Sequence, residues 1–288
     1  MKKFIKNFLE KRGIEIKKIK NINDTNLYLE LYGEESVKNR KFYNICAGGH
    51  FEFGCAFKHP LWTNVDVDRK WGEGKKEFNP ATDIAHDPYS LKPYPIESDT
   101  AELVHSRFAV EHIPNDAAQN MFNEIHRILK KGGVARFTCP HTDLAYRAYK
   151  ENDKNYFFWV NNHDHLRNAS MEQIFVDHVA SSASTVREEG SKHRITDEEF
   201  KHIINTMSYE DAMNYITSKC DLDFQLTNRR NHLNWWNFKK FERMLSLAGF
   251  TDIYLSQPYQ SFSPVMRNEN YFDSIYNRIL IYVEARKS

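Results

Sequence analysis

The chain has 288 residues, of which 41% are apolar and 14% aromatic, and its formal net charge is +1. This length allows one large domain or a domain with a substantial insertion, and the apolar fraction is enough for a sizeable core. The near-balanced charge excludes a global field that recruits nucleic acid or an anionic membrane, so we predict no nucleic-acid partner.

The cysteines and the first twenty residues bear on location. Cys46, Cys55, Cys139 and Cys220 form no CxxC pair, which predicts free thiols in a reducing, cytoplasmic compartment. Residues 1–20 hold eight basic and two acidic residues, without the unbroken apolar run of a signal peptide or a membrane span. We expect residues 1–38 to form a basic helical segment that docks on its own domain; a weak membrane-surface contact through residues 1–20 is the alternative.

Seven short runs have the composition of β-strands, and most are apolar on both faces, as in a parallel sheet covered on both sides. The runs are Lys41–Cys46, Thr63–Val67, a weaker one near Ile84, Ala101–Ser106, Val134–Cys139, Asp252–Leu255 and Ile279–Ala285.

Two helices are predicted between these runs. The first extends over Asp116–Lys130 and ends at Gly132-Gly133. The second extends over Phe238–Ala248, with Asn237 as its N-cap and Gly249 as its stop. The order strand, helix, strand is that of a βαβ unit, which predicts an α/β fold.

Residues 146–234 differ from the rest because they read as helices and loops. Ser170 and Thr196 each begin a capping box, and the region is rich in Asn, His, Asp and aromatic residues. We predict an α/β core formed by residues 39–145 and 235–288, with residues 146–234 inserted as a mainly helical cap for substrate.

The stretch "FYNICAGGHFEFGCAF", residues 42–57, places glycines directly after a strand, where ligands bind in open α/β sheets. Its glycine spacing differs from the GxGxxG of dinucleotide loops. Asp66 follows Gly48 by 18 residues, at the end of the second strand, where a carboxylate can accept both hydroxyls of a ribose. The pair Asp66 and Asp68 also matches the DxD of metal-dependent glycosyltransferases.

Several motifs occur in one order: Asn44–Gly49, Asp66, Asp87, "PYPIESDTAELV", "EHI" at residues 111–113, "ILKKGG", "RFTCPH" and "FERMLSLAGFTDIYL". Together they resemble class I S-adenosylmethionine-dependent methyltransferases of the small-molecule group called type 11. The resemblance covers residues 41–143 and 235–287. "NHLNWW" and "SPVMR" are similar to methyltransferases encoded with bacterial surface-polysaccharide genes.

The resemblance implies a Rossmann-like sheet of seven mostly parallel strands, the last one antiparallel. It also implies S-adenosylmethionine as cofactor and S-adenosylhomocysteine as product. The cofactor-binding residues expected by position are Asn44, Cys46, Ala47, Gly48, Gly49, His50, Asp66, Val67, Asp87, Ser106 and Arg107.

Two departures from the family pattern raise the possibility of a remodelled or lost cofactor site. Cys46 stands in place of the family's first glycine. The first crossover has only about fifteen residues, interrupted by Gly54 and Pro60, so a full first helix hardly fits. We therefore expect His50 and Phe51 to line the cofactor directly.

For catalysis, His141 after the fifth strand is the predicted base, with Asp143 orienting it. His163 and His165 are further catalytic candidates, and Glu111, His232 and Trp235 are expected to bind substrate. We expect His112 to pack beneath the site. No metal ligand set is predicted, since nothing fixes a third ligand for the His163–His165 pair.

The leading hypothesis is O-methylation of a small polar metabolite, sugar or nucleotide-activated glycan precursor. One alternative is a non-catalytic scaffold with a methyltransferase-like fold. The other is a metal-dependent glycosyltransferase that uses Asp66 and Asp68.

Overall fold

Seven strands form a single sheet in the computed structural model, which describes residues 24–47, 59–67, 82–273 and 276–288. The strands are β1 (Phe42–Ile45), β2 (Thr63–Asp66), β3 (Ile84–Ala85), β4 (Ala101–Arg107), β5 (Leu129–Pro140), β6 (Asp252–Ser256) and β7 (Leu280–Arg286). All seven predicted runs are confirmed as strands.

The strand order is β3-β2-β1-β4-β5-β7-β6. β1 is parallel to both β2 and β4, β4 is parallel to β5, and β7 is antiparallel to both β5 and β6. This confirms the predicted Rossmann-like methyltransferase sheet. The chain order reverses between β1 and β4, and the carboxyl ends of the strands beside that reversal form the edge where ligands bind in such sheets.

The described part of the chain contains eight α-helices. They are α1 (Thr25–Lys38), α2 (Asn115–Ile128), α3 (Thr142–Lys150), α4 (Met171–Val179), α5 (Asp197–Thr206), α6 (Tyr209–Ser218), α7 (Leu222–Thr227) and α8 (Phe238–Leu247). None of the helices in these described ranges is long and apolar enough to cross a membrane.

The end of α2 differs from the prediction. The helix stops at Ile128, and Leu129 already pairs with Ala101, so the two glycines belong to β5 rather than terminating the helix. The register shifts there, and Gly132 has a φ of +79°. A Cβ on Gly133 would lie 2.9 Å from the Lys130 carbonyl oxygen, so this bulge requires glycine for steric reasons.

Both faces of the sheet are covered. α2 and α8 pack on one face over a large apolar core that includes Phe122, Phe137 and Trp236. α1 covers the other face, where Tyr28 is fully buried against Phe42. α1 carries three glutamates and one lysine, so the described part of residues 1–38 is helical but not basic. Residues 1–23, which include the segment of the membrane-surface prediction, lie outside the described residues.

Residues 142–235 hold a second apolar core of their own, centred on α4, α5 and α6. Both capping predictions are confirmed: Ser170 accepts a hydrogen bond from the Gln173 amide and Thr196 accepts one from the Glu199 amide. Two adjacent tryptophans mark the seam between the cores, because Trp235 packs into the cap and Trp236 into the sheet's core.

Candidate active site

A cavity of about 170 Å³ lies at the carboxyl edge of the sheet, beside the reversal of strand order. It is bounded by residues that directly follow β1, β2, β3 and β4, together with two arginines of the cap. The lining residues are Cys46, Asp66, Val67, Pro88, Tyr89, Phe108, Ala109, His112, Ile113, Arg229 and Arg230.

Three of the predicted cofactor residues line this cavity. The buried Asp66 ends β2, and its Oδ1 accepts a hydrogen bond of 2.6 Å from the Val67 amide. Cys46 follows β1 with a φ of +53°, in the left-handed region that glycine adopts most easily. Cys46 therefore occupies a backbone conformation that a glycine would adopt at lower cost.

Phe108 repeats this feature at the end of β4, where its φ is +51°. A bulky residue in the left-handed region is uncommon and strained, and such strain concentrates at ligand sites. Two strained non-glycine residues, Cys46 and Phe108, thus line the same cavity from adjacent strands. Seven other non-glycine residues in the described ranges also have a positive φ, Leu91 and Tyr259 among them, so this conformation alone does not identify a ligand site.

Asp87, the residue expected to bind adenine, is joined to the cap. Its Oδ1 accepts from the Tyr89 amide at 3.1 Å, and both oxygens accept from the Arg229 guanidinium, at 3.1 and 2.9 Å. The same guanidinium lies 4.9 Å from the centre of the Tyr89 ring. An adenine amino group would therefore share this carboxylate with Arg229.

The other cofactor positions within the described ranges are not among the residues that line the cavity. The Asn44 side chain bonds Asn64 on β2 and His105 on β4, so it links three strands. Ser106 is buried within β4, and the Arg107 guanidinium lies over the Phe108 ring. Ala47 donates its amide to Val65 at 3.3 Å.

Some of the predicted positions lie outside the described residues. These are Gly48, Gly49 and His50 for the cofactor, Phe51 for its wall, and Asp68 for the glycosyltransferase alternative.

Glu111, His112 and His232 meet behind one wall of the cavity. Burial raises the pKa of Glu111 to about 8. Burial, with a smaller effect of His232, lowers the pKa of His112 to about 3. The two imidazole rings lie 4.8 Å apart. His112, which we expect to pack beneath the site, is among the residues that line the cavity.

The predicted catalytic pair lies at the start of α3. His141 precedes the helix and is half-buried, and burial lowers its pKa. Asp143 accepts hydrogen bonds from the Tyr209 hydroxyl at 2.7 Å and from the Asn237 amide at 3.0 Å. These contacts tie the cap to α8, and neither residue lines the cavity.

His163 and His165 lie in the cap, with ring centres 5.7 Å apart. His165 lines a second cavity of about 460 Å³, whose walls are mostly charged and polar. Its lining residues are Asp164, His165, Arg187, Glu188, Glu189, Phe224, Asn228 and Asn231. The segment 228–231 separates the two cavities, since Asn228 and Asn231 line this one while Arg229 and Arg230 line the first.

The remaining substrate prediction, Trp235, is buried in the cap, where its Nε1 donates to Asn214 at 2.8 Å. Sequence reasoning missed Tyr89, Phe108, Arg229 and Arg230. The sequence signal that could have identified the two arginines is "TNRRN" at residues 227–231. Two adjacent cations just before the chain re-enters the core indicate an anionic partner there.

Residues 60–137, a little over a quarter of the chain, match the family described as "Methyltransferase domain". The match runs from just before β2 into β5 and includes Asp66, Asp87 and the "EHI" motif. A comparison with proteins of curated function gives no significant match.

Three solved structures illustrate the similarity in fold. An S-adenosylmethionine-dependent methyltransferase from Mesorhizobium loti has 12% identity and a TM-score of 0.37, over 85% of this chain and 90% of that one. The apo methyltransferase SibL has 10% identity and a TM-score of 0.37, over 91% and 56%. Haemonchus contortus phosphoethanolamine N-methyltransferase 2, in complex with S-adenosyl-L-methionine, has 12% identity and a TM-score of 0.36, over 98% and 59%.

This chain thus spans less than two thirds of the length of the last two proteins. All three TM-scores are below 0.5. Residues 60–137 are similar to a methyltransferase domain and lie within a sheet of Rossmann-like strand order. This match supports the predicted methyltransferase class and S-adenosylmethionine as the cofactor that this class uses.

Proposed function

We propose that the protein transfers a methyl group from S-adenosylmethionine to a hydroxyl of a small polar acceptor, of the sugar or glycan-precursor class. The observation that carries this proposal is the cavity at the strand ends of the sheet, which Asp66 lines together with two arginines of the cap. A second, polar cavity in the cap lies on the other side of segment 228–231 and can hold a part of the acceptor remote from the reacting hydroxyl.

The first cavity suits the cofactor. Asp66 offers a carboxylate at the end of β2, where it can accept from the two ribose hydroxyls. The turn at Cys46 brings backbone, rather than a long side chain, to the reversal of strand order. Tyr89 and Phe108 supply aromatic surface for a ring system. When bound, S-adenosylmethionine supplies an electrophilic methyl group.

The second cavity suits the acceptor because its walls alternate in charge. Asp164, Glu188 and Glu189 can accept from hydroxyls, while Arg187 and the Asn228 amide can donate. Such walls reject an apolar ligand, which would leave these groups unpaired. His163 and His165 are retained as proposed contacts for the acceptor on this side of the cap.

Transfer requires that the acceptor oxygen reach the methyl group directly, so the reacting hydroxyl has to enter the first cavity while the protein accepts its proton. The chain offers several proton acceptors, of which the sequence favours His141 with Asp143. His141 remains the proposed base, and activity of the His141→Ala variant is its direct test.

Asp66→Ala tests the cofactor site. The lost hydrogen bonds to a charged acceptor are worth about 1.5–3 kcal/mol each, so affinity for S-adenosylhomocysteine should fall by at least about tenfold in calorimetry. Asp223→Ala, which removes an exposed carboxylate of α7, is the control and should bind as the wild type does.

Transfer of labelled methyl groups to a panel of nucleotide-activated sugars then tests the acceptor class. Wild-type protein that binds no S-adenosylhomocysteine would defeat the whole proposal. Binding without transfer to any sugar would defeat only the acceptor class.

A further inference from the structure

Glu111, His112 and His232 form a group of three potential metal ligands. One ligand atom from each lies within 4.8 Å of the other two, and no other such group occurs within residues 24–47, 59–67, 82–273 and 276–288. Glu111 and His112 follow β4, whereas His232 lies more than a hundred residues later, where the cap returns to the core. The tertiary structure alone brings them together.

Both imidazoles are held in the orientation that metal-binding histidines adopt. Nδ1 of His112 lies 3.0 Å from the Asn231 carbonyl oxygen, and Nδ1 of His232 lies 2.6 Å from that of His178. A carbonyl oxygen can only accept, so each Nδ1 carries the proton and each Nε2 keeps a free lone pair. Hydrogen bonds of this kind fix the tautomer and ring direction in metal sites.

The carboxylate of Glu111 has no hydrogen-bond partner among the described residues, although Glu111 is only 2% exposed. Its Oε1 lies 3.9 Å from Nε2 of His112. Burying a carboxyl group without a partner is costly, and such groups call for a specific explanation. A bound cation would supply the missing partner for this carboxylate.

The backbone around the three side chains is held in place by further hydrogen bonds. The Glu111 carbonyl accepts from the amides of Leu233 and Asn234, at 2.9 and 3.2 Å. Nε2 of Gln225 donates to the carbonyl oxygens of Asn231 and His112, at 2.7 and 3.3 Å. The two segments that supply the ligands are therefore joined before any ligand binds.

We propose that Glu111, His112 and His232 bind one divalent transition-metal cation of the zinc class at the wall of the cofactor cavity. Two imidazoles and one carboxylate suit zinc and its first-row neighbours better than magnesium or calcium. Tetrahedral zinc with bonds near 2.1 Å places its ligand atoms roughly 3.4 Å apart, so ligand atoms that lie within 4.8 Å of one another need to close by at most about 1.4 Å. Because His112 lines the cavity, the cation would lie beside a molecule bound there. Methyl transfer itself does not require such a cation.

The test uses tag-free, full-length protein that has been stripped with a chelator and dialysed. Calorimetric titration with Zn²⁺ should give one equivalent per chain, and Co²⁺ should give the visible absorption of a tetrahedral site. Glu111→Gln and His232→Ala should each weaken Zn²⁺ binding by at least about tenfold, as loss of ligands or of their orienting partners does.

His193→Ala is the matched control, because His193 and Glu199 form a surface histidine–carboxylate pair 3.0 Å apart. That variant should bind Zn²⁺ as the wild type does. Should His232→Ala fail to fold, the isosteric Glu111→Gln decides alone. No binding by the wild type, or unchanged binding by Glu111→Gln, would overturn the proposal. Binding of S-adenosylhomocysteine is measured separately, so failure here leaves the proposed function untouched.

Discussion

The sheet core and the cap organise their polar groups in opposite ways. In the core, Arg136 is fully buried and pairs with two equally buried carboxylates, Asp273 at 2.6 Å and Glu284 at 2.7 Å. In the cap, the neutral Gln173 holds the comparable position: its amide donates to Ile195 and Asp197, and its oxygen accepts from Ser184 and Thr185. At these two positions the core therefore relies on a buried cation, and the cap on an uncharged amide side chain.

The difference bears on where the functional groups come from. Strand order determines the position of the cofactor side of the site, because the carboxyl ends of parallel strands lie at one edge of the sheet. The polar cavity of the cap depends instead on individual side chains that hold loops in place. We therefore expect the cap to tolerate changes in its polar groups better than the core does.

The largest effect is expected for Arg136→Met. The substitution leaves Asp273 and Glu284 buried without their cation, which costs about 3–5 kcal/mol of unfolding free energy. Urea unfolding measures this loss. Adding Asp273→Asn and Glu284→Gln should restore part of the stability, and a triple variant no more stable than Arg136→Met would argue against the charge explanation.

Gln173→Met should have a smaller effect, about 2–3 kcal/mol, because Gln173 is itself uncharged and Asp197 is the one charged partner that loses a hydrogen bond. The matched control is Gln119→Met on α2, where the amide bonds Asn123 and the Met244 carbonyl near the surface. The control should lose less than about 1 kcal/mol in the same urea experiment. If both variants lost the same unfolding free energy, the Gln173 network would stabilise the protein no more than a surface hydrogen bond does.

Lys240 lies at the seam, over the rings of both Trp235 and Trp236. Burial lowers its pKa from 10.5 to about 7. Between pH 7 and pH 10.5 the unfolded chain holds a proton on Lys240 that the folded chain lacks. The contribution of Lys240 to the unfolding free energy therefore rises with pH in this window and does not change with pH below it.

Lys240→Met should abolish this rise, which amounts to at most about 1.4 kcal/mol per pH unit. The measurement is the difference in unfolding free energy between wild type and variant from pH 6 to 10. A constant difference over that range would show that Lys240 titrates normally.

The smallest effect is expected for Arg229→Ala, which releases Asp87 from the cap. We expect cofactor affinity to fall by about fivefold, or about 1 kcal/mol, since the carboxylate loses its orienting partner. Arg147→Ala, which removes an exposed ion pair within α3, should leave the affinity unchanged. Tighter binding by Arg229→Ala would mean that Arg229 competes with the cofactor for Asp87.

Much of the fold could be predicted because its signals are local. The strands around Val65, Val104 and Val283 are short apolar runs. Ser170 and Thr196 predict helix starts because a Gln or Glu follows each of them three positions later. The end of α2 was misjudged because Gly132 and Gly133 look like a helix stop, whereas pairing of Leu129 with Ala101 decides the boundary. No pattern of neighbouring residues predicts that Leu129 pairs with Ala101.

The strands, the resemblance to methyltransferases and the place of Asp66 at the end of β2 could be read from the sequence, because each depends on residues close together in the chain. Three features emerge only on folding: Arg229 bonds Asp87, segment 228–231 lies between two cavities, and His232 approaches Glu111 and His112. The first and the last of these link residues more than a hundred positions apart. Such contacts form only when the cap folds back on the core, so hydrophobic periodicity and motif spacing do not encode them.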